Sequence, residues 1–245
     1  MQRYFAKEKR NEEFILYETD IHHIKNVMRY TVGDEIEVVY DNIVYICSIT
    51  TVAPLSLKIM AEKKQNTEMP INLTIAVSLV NEQKMDLILQ KLTELGVSTI
   101  IPIKTERSIV KITDNKIEKK LSRWQMICKE ASEQSKRNKI PKIEKIMTLK
   151  ELSKIDIPNK YICSLNAKTK PLKDYLNKNI SEILFAIGPE GGFSEKEESF
   201  LLDSKFIPVS LGKRVMRVET ATFYVASIIN YVCEDWYYEV NYWFL

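Results

Sequence analysis

Glycine is scarce in this chain of 245 residues, and its placement makes one short loop the strongest constraint on the fold. Three of the six glycines lie in the segment Gly188–Gly192, directly after the apolar run Ile183–Ile187. Glycine lets the backbone adopt positive φ and approach a ligand closely. Ser194 and Glu197 follow at the spacing of a capping box, so a helix is predicted to begin there. This order indicates a binding loop or, alternatively, a tight strand-to-helix turn.

A second loop has the same arrangement and is rich in cations. The segment Leu211–Thr222 follows a predicted strand, Phe206–Leu211, and precedes an apolar helix. Three cations stand beside two apolar residues in it: Lys213, Arg214 and Arg217 with Val215 and Met216. Such a set suits an adenosine-like ligand and a polyanion together, although Lys213 is equally compatible with a solvated position. Neither loop matches a P-loop or dinucleotide fingerprint, which argues against a site that cradles nucleotide phosphates.

From residue 71 onward, short apolar runs alternate with helical patterns. The predicted strands are Leu73–Leu79, Ser98–Ile103, Tyr161–Leu165, Ile183–Ile187 and Phe206–Leu211. One amphipathic helix runs from Met85 to Leu95, with Gly96 placed to end it, and a long polar helix covers about 117–137. Strands separated by helices predict a mostly parallel sheet covered on both faces. In such sheets, ligands bind beyond the carboxyl ends of the strands.

Residues 1–62 have a different pattern, which predicts a small β-barrel. Glu35–Val39 and Ile43–Ile46 are β-branched segments joined by a hairpin turn at Tyr40–Asn42, and another strand is expected over Leu55–Met60. Asp20 is predicted to be the N-cap of one helix in this unit. The polar segment Glu62–Pro70, closed by proline, is typical of a linker.

The charge distribution separates these regions more clearly than the net charge of +3 does. Residues 1–70 carry 9 basic and 11 acidic side chains, whereas residues 104–150 carry 14 basic and 6 acidic ones. A local cationic field favours a polyanion, because each neutralised phosphate releases condensed counterions. A solvated, lysine-rich surface would produce the same excess.

The cysteines and histidines indicate a protein that resides in a reducing compartment and has no metal centre. The four cysteines are scattered and lack CxxC spacing, and His22 and His23 are the only histidines. No apolar run reaches the roughly 18 residues that a membrane span needs, and the start lacks a signal-peptide core. We therefore expect a cytoplasmic protein that binds neither a metal nor a membrane.

The two loops together carry a specific resemblance. Gly188–Gly192, followed by the segment 211–221, resembles the RsmE family of 16S ribosomal RNA uridine-N3 methyltransferases in the SPOUT superfamily. Further matches follow in the family's order along nearly the whole chain: Met1–Phe5, His22–Arg29, Gly33-Asp34, Leu92–Val97, Glu106–Ser108, Trp124 and Glu130–Gln134. Agreement of so many short segments at compatible spacing is improbable by chance.

The resemblance implies an α/β fold with two domains. Residues 1–68 would form a PUA-like β-barrel that binds RNA, and residues 72–245 a SPOUT methyltransferase domain with a trefoil knot. S-adenosylmethionine would lie bent between three loops of that knot. The implied cofactor contacts are Leu165, Ile187, Gly188, Pro189, Gly191, Gly192, Leu211, Gly212, Val215, Met216, Arg217 and Thr220.

Catalysis and substrate binding follow from the same resemblance. Uridine N3 is a poor nucleophile until it loses its proton, so the site needs a proton acceptor or a cation that stabilises the anion. Arg217 is the first candidate to hold the O2/O4 edge or a phosphate. Glu190 and Glu219 are candidate proton acceptors, although each could instead accept hydrogen bonds from backbone or ribose. Candidate RNA contacts, each also compatible with a structural or surface position, are Arg3, His22, His23, Arg29, Arg107, Lys136, Arg137 and Arg214.

The partners implied are 16S ribosomal RNA, in the small ribosomal subunit, and a second copy of the chain that completes the active site. The aromatic tail Trp236–Leu245 departs from the family pattern and is expected at the dimer interface or over the last helix. Two alternatives remain. One is a knotted enzyme acting on transfer RNA or on ribose 2′-hydroxyls, and the other is a non-catalytic RNA-binding assembly factor. Intact glycine and cationic loops count against loss of the cofactor.

Overall fold

The computed structural model describes residues 1–11, 13–108, 110, 112–165, 169–176 and 180–233, so the predicted role of Trp236–Leu245 falls outside the described residues. The chain divides into two units. The first comprises Met1–Glu68 and Met126–Pro141, and the second comprises Met69–Gln125 and the chain from Lys142 onward. The first unit thus includes a segment that was expected in the second domain, and the domain limits 1–68 and 72–245 stay predictions.

The first unit is built on a five-stranded sheet in the order β2-β1-β3-β4-β5. Its strands are β1 (Arg3–Arg10), β2 (Glu13–Leu16), β3 (Glu35–Tyr40), β4 (Ile43–Val52) and β5 (Leu55–Lys63). The β3–β4 hairpin forms as expected, because Asp41 and Asn42 adopt φ values of 48° and 64°, which its two-residue turn requires. Strands β1 and β2 were not anticipated, and β1 runs parallel to β3.

A short helical segment, α1 (Glu18–His22) continued by a π-helical turn (His23–Val27), covers part of this unit. The expectation that Asp20 caps this helix is wrong, since Tyr17 holds the N-cap position. The Asp20 carboxylate is buried instead, and both of its oxygens accept hydrogen bonds from Lys129 Nζ, at 2.7 and 2.8 Å. The side chain of a capping residue accepts hydrogen bonds from the first backbone N–H groups of its helix. The Asp20 carboxylate is held instead by its ion pair with Lys129.

The second unit contains the parallel sheet that the alternating pattern predicts. Its path runs β12-β10-β11-β6-β7-β8, and β9 pairs with β7; all of these pairings are parallel. The strands are β6 (Asn72–Ser78), β7 (Thr99–Lys104), β8 (Lys142–Ile143), β9 (Met147–Thr148), β10 (Asn159–Cys163), β11 (Glu182–Ile187) and β12 (Ile207–Val209). The predicted fold class, an α/β domain with a small β domain before it, is confirmed.

Helices connect these strands. They are α2 (Glu82–Glu94), α3 (Asp114–Gln134), α4 (Leu149–Leu152), α5 (Glu195–Asp203) and α6 (Val218–Cys233). The predicted capping box at the start of α5 is present, and Gly96 adopts a φ of 85° after α2. Helix α6 buries Val225, Ala226 and Ile229 completely, whereas Tyr224 remains 41% exposed.

Two observations limit the classes of site in the part of the chain that the structure describes. No helix there is long and apolar enough to cross a membrane. No group of three or more histidine, cysteine, aspartate or glutamate side chains there is arranged to hold a metal ion.

Candidate functional site

Three neighbouring parallel strands bring the predicted loops together. Strand β10 lies between β11 and β12, and all three point in the same direction, so their carboxyl ends share one edge of the sheet. The segment after Cys163, the loop after Ile187 and the loop after Val209 therefore begin side by side. The carboxyl edge of a parallel sheet is the usual location of a ligand site.

A cavity of about 610 Å³ lies between these loops. This volume falls within the range of sites that enclose a small organic ligand. Its walls come from residues 163–165, 169 and 171, from the glycine loop (Gly188–Gly192) and from the segment 210–221. The lining residues are Cys163, Ser164, Leu165, Thr169, Pro171, Ile187, Gly188, Pro189, Glu190, Gly192, Ser210, Leu211, Gly212, Lys213, Arg214, Val215, Met216, Val218 and Ala221.

Most of the predicted cofactor contacts line this cavity, and three do not. Those that line it are Leu165, Ile187, Gly188, Pro189, Gly192, Leu211, Gly212, Val215 and Met216. Gly191, Arg217 and Thr220 are exposed and absent from its walls. A Cβ atom on Gly191 would point to the Arg107 side chain, 3.4 Å from its Cδ atom, which explains why this glycine makes no wall. A direct cofactor contact remains a prediction for each residue.

The glycine loop depends on glycine at two positions. Gly192 has a φ of +67° and donates a 2.8 Å hydrogen bond to the Pro189 carbonyl, which closes a tight turn. A Cβ atom on Gly188 would lie 3.0 Å from Phe193 atoms, closer than ordinary contact. Both positions keep the backbone of this loop close to its neighbours and to the cavity.

The turn that follows β7 holds the glycine loop from outside the cavity. Arg107 Nη1 donates hydrogen bonds to the carbonyl oxygens of Gly191, at 2.6 Å, and Phe193, at 3.3 Å. Beside it, the backbone N–H of Glu106 donates to Glu197 Oε1 at 2.7 Å. Glu197 also closes the capping box with Ser194. Arg107 is exposed as well as bound to this loop, so the predicted contact of Arg107 with RNA stays a prediction.

A cluster of charged side chains lies beside the cavity. Lys84 Nζ donates a short hydrogen bond to Glu190 Oε1 and lies 3.6 Å from Glu219 Oε2. The hydrogen bond to Glu190 raises the pKa of Lys84, and the nearby charge of Arg217 opposes this rise. Lys84 was not among the residues predicted from the sequence, because its partners lie more than 100 residues further along the chain and no local spacing indicates them.

The lining chemistry fits S-adenosylmethionine. Leu165 and Val215, which are 62% and 77% exposed, present apolar surface that suits an adenine ring. Lys213, Arg214 and Glu190 supply charges of both signs around the same space, which suits the carboxylate, ammonium and sulfonium groups. The cavity volume of about 610 Å³ lies in the range of sites that enclose a ligand of this size.

Two predicted RNA contacts in the first unit need correction. Arg3 is fully buried, and its Nε lies 3.0 Å from Glu37 Oε2. Arg137 is 3% exposed, and its Nη2 lies 2.5 Å from Glu68 Oε2. Burial raises the pKa of Glu37, but hydrogen bonds from Lys63 and Arg3 and the charge of Lys136 hold it at about 2. Arg3 and Arg137 are buried inside the unit, so their side chains do not lie on a surface that RNA could contact.

The other candidates in this unit lie nearer the surface. His22 and Arg29 are exposed, and His23 is partly buried, with its Nδ1 2.9 Å from the Tyr4 hydroxyl. Lys136 is partly exposed and pairs with Glu37 at 3.2 Å. These four residues are compatible with RNA contact, and that role remains a prediction.

Comparisons with known proteins agree with this site. Residues 67–230 match the RNA methyltransferase domain family, and residues 16–59 match the RNA methyltransferase PUA domain family. The chain is 34% identical to the ribosomal RNA small subunit methyltransferase E of Bacillus subtilis, with 96% of this chain and 98% of that protein covered. The Aquifex aeolicus protein of the same name is 31% identical, with 94% and 99% covered.

A solved structure extends the agreement to three dimensions. It is a ribosomal RNA small subunit methyltransferase E from Neisseria gonorrhoeae, bound to S-adenosylmethionine. The two chains superpose with a TM-score of 0.87 at 32% sequence identity, covering 96% of this chain and 99% of the other. The chain therefore belongs to the ribosomal RNA small subunit methyltransferase E family.

Proposed function

We propose that this protein transfers the methyl group of S-adenosylmethionine to N3 of a uridine in the 16S ribosomal RNA of the small subunit. The cavity between the three loops is the observation that carries the proposal. It lies at the carboxyl edge of the sheet, and its walls combine apolar surface with charges of both signs. The names of the relatives, and the cofactor in the Neisseria structure, support the same activity.

The protein contributes alignment more than chemical activation. S-adenosylmethionine, when bound, supplies a methyl carbon on a sulfonium sulfur that keeps the electron pair when the carbon–sulfur bond breaks. The loops have to hold that carbon in line with the uridine nitrogen, because orientation accounts for a large share of such rate enhancements. The hydrogen bonds from Arg107 and the capped start of α5 stiffen the glycine loop for this purpose.

The N3 proton must leave before a new carbon–nitrogen bond forms. Glu190 and Glu219 are the proposed acceptors: Glu190 lines the cavity, and Glu219 stands in the first turn of α6. Arg217, exposed just before α6, is proposed to bind the O2/O4 edge and stabilise the uridine anion. Arg214, which lines the cavity, is proposed to contact the RNA backbone.

The first unit is proposed to capture the RNA. It matches a PUA domain family over residues 16–59 and exposes His22 and Arg29. Phosphate contacts of this kind position a nucleic acid without reading its sequence. The target uridine must also be unstacked before N3 is accessible, so a single-stranded segment or a flipped base is required.

We extend the proposal to a homodimer in the cytoplasm. The resemblance implies the dimer, and the scattered cysteines indicate the reducing compartment. The exposed rings of Tyr224 and Tyr231 on α6 offer surface for a second copy. Sedimentation equilibrium of the purified chain tests the dimer, and a monomer at micromolar concentration would contradict it. Fractionation of cells that express a tagged chain tests the compartment.

Nucleoside mass spectrometry of 16S ribosomal RNA from a deletion strain tests the activity. We expect N3-methyluridine to disappear there, and to return when the purified protein is incubated with the mutant's small subunits and S-adenosylmethionine. Deproteinised 16S RNA in a parallel reaction identifies the preferred substrate. Full retention of the modified nucleoside in the deletion strain would contradict the proposal.

A further inference from the structure

Lys84 contacts Glu190, a residue of the cavity wall, from a part of the chain that none of the three loops includes. It is the third residue of α2, and its backbone N–H donates a 2.9 Å hydrogen bond to the side chain of the N-cap residue Asn81. Helix α2 follows β6, and β6 pairs with β11, the strand that precedes the glycine loop. Sheet order therefore brings the first turn of α2 next to that loop.

The Lys84 ammonium links two segments that belong to different walls. It hydrogen bonds to Glu190, in the glycine loop, and pairs with Glu219, at the start of α6, at 3.6 Å. The side chains of Lys84 and Glu219 are 26% and 14% exposed, so water screens this pair less than it screens a surface ion pair. The glycine loop lines the cavity on one side, and Val218 and Ala221, which flank Glu219, line it on the other.

Glu219 gives this link its importance. Its Oε2 atom is buried and has no hydrogen-bond partner among the described residues. Burying a carboxylate oxygen without a partner is unfavourable unless a cation lies nearby. Lys84 stands within ion-pair distance of that atom. Without the Lys84 ammonium, the carboxylates of Glu190 and Glu219 would lose the cation that they share.

We propose that Lys84 is a positioning residue that fixes the distance between the glycine loop and the start of α6. It acts through Glu190 and Glu219, and so it keeps the cavity at the width that S-adenosylmethionine needs. The inference rests on the proposed function for the identity of this ligand. It assigns Lys84 no direct part in the transfer of the methyl group.

Calorimetric titration of S-adenosylmethionine into the full chain, without RNA, tests this role. We expect Lys84→Met to raise the Kd roughly tenfold, which corresponds to the loss of one strong polar interaction. Lys84→Arg keeps the cation and should retain most of the affinity. The double variant Lys84→Met/Glu219→Gln removes the uncompensated carboxylate, so it should bind more tightly than Lys84→Met alone. Lys91→Met, a lysine of the same helix paired with Glu94, is the matched control.

The outcomes separate this inference from the proposed function. A wild-type chain that binds no S-adenosylmethionine would overturn both. Wild-type binding with an unchanged Kd in Lys84→Met would overturn only the inference. A third outcome would also overturn the inference. In it, Lys84→Met raises the Kd and lowers the unfolding midpoint, and neither Lys84→Arg nor the added Glu219→Gln substitution restores the affinity, so Lys84 would only stabilise the fold. Should Lys84→Met fail to fold, Lys84→Gln, which also removes the cation, takes its place with the same expected and contradicting outcomes.

Discussion

The guanidinium of Arg107 donates a 2.6 Å hydrogen bond to the carbonyl oxygen of Gly191, across 84 residues of sequence. The same nitrogen reaches the carbonyl oxygen of Phe193 at 3.3 Å, so one side chain spans the end of the glycine loop. Arg107 follows β7, which is paired with β6 in the same sheet. The conformation of the glycine loop thus depends on the turn that follows β7 as well as on its own glycines.

Replacement of Arg107 by methionine should weaken cofactor binding. The carbonyl oxygens of Gly191 and Phe193 would lose a charged donor, and the loop would sample conformations that bind S-adenosylmethionine less well. We expect the Kd to rise about fivefold, equivalent to about 1 kcal/mol for partly exposed hydrogen bonds. Isothermal titration calorimetry measures it, with Arg123→Met, an arginine on the surface of α3, as the control. An unchanged Kd would show that these hydrogen bonds from Arg107 do not support cofactor binding.

Gly192→Ala and Gly191→Ala form a matched pair. Gly192 has a φ of +67°, and a Cβ atom there would lie 3.2 Å from Leu165 Cδ1, whereas a Cβ atom on Gly191 would meet Arg107 Cδ at 3.4 Å. An L-residue in the left-handed region costs about 1–2 kcal/mol. We expect Gly192→Ala to lower the free energy of unfolding by about that amount and to weaken cofactor binding. Gly191→Ala should be close to neutral in chemical denaturation, and equal losses in both variants would contradict this assignment.

The hydrophobic pattern of the sequence predicts most strands of the second unit, because parallel strands that are buried on both faces are continuous apolar runs. The sequence does not predict β8 and β9, because a strand of two residues is too short to show a hydrophobic pattern. β1 was missed for a different reason. Its outer half is exposed and charged, and its pairing with β3 is fixed by contacts across the sheet.

The residues of the candidate site also fall into two groups, those that the local sequence indicates and those that it does not. Residues in the glycine loop and in the segment 211–216 were found because composition and order mark them locally. Arg3 is predicted to contact RNA because Met1–Phe5 resembles the family's RNA-binding domain. Its burial against Glu37 depends on folding of the whole unit, which the sequence does not indicate. Lys84 was missed because Glu190 and Glu219 approach it only through strand order.

The buried carboxylate of Glu133 should make the stability of the protein depend on pH. Burial raises its pKa to about 7, Lys129 opposes that rise, and Asp20 adds to it. A carboxyl group with a raised folded-state pKa stabilises fully below its unfolded pKa, near 4.5, and this contribution is lost as the pH rises through about 7. Relative to wild type, Glu133→Gln should therefore gain stability between pH 5 and pH 8, by on the order of 3 kcal/mol.

Thermal unfolding of wild type and Glu133→Gln across this pH range measures that change. The amide introduced by the substitution keeps an oxygen for the Phe5 N–H, which now donates to Glu133 Oε1 at 3.1 Å. Glu130→Gln removes one negative charge from an exposed position of the same helix and controls for net charge. A constant difference between wild type and Glu133→Gln at every pH would mean that the carboxyl group titrates normally.

Arg217→Ala should reduce turnover far more than cofactor affinity. Arg217 is exposed, does not line the cavity and directly precedes α6, so its loss leaves the walls around S-adenosylmethionine intact. If its guanidinium stabilises the uridine anion, removing it affects the transition state, and a loss of about 100-fold in kcat is of the size seen for such groups. Steady-state methylation of small subunits measures kcat, and calorimetry measures the Kd of the cofactor. Arg123→Ala, exposed on α3, controls for the loss of one positive charge. A loss of cofactor affinity with an unchanged kcat would reassign Arg217 to cofactor binding, because an interaction made equally in the ground and transition states does not lower the chemical barrier.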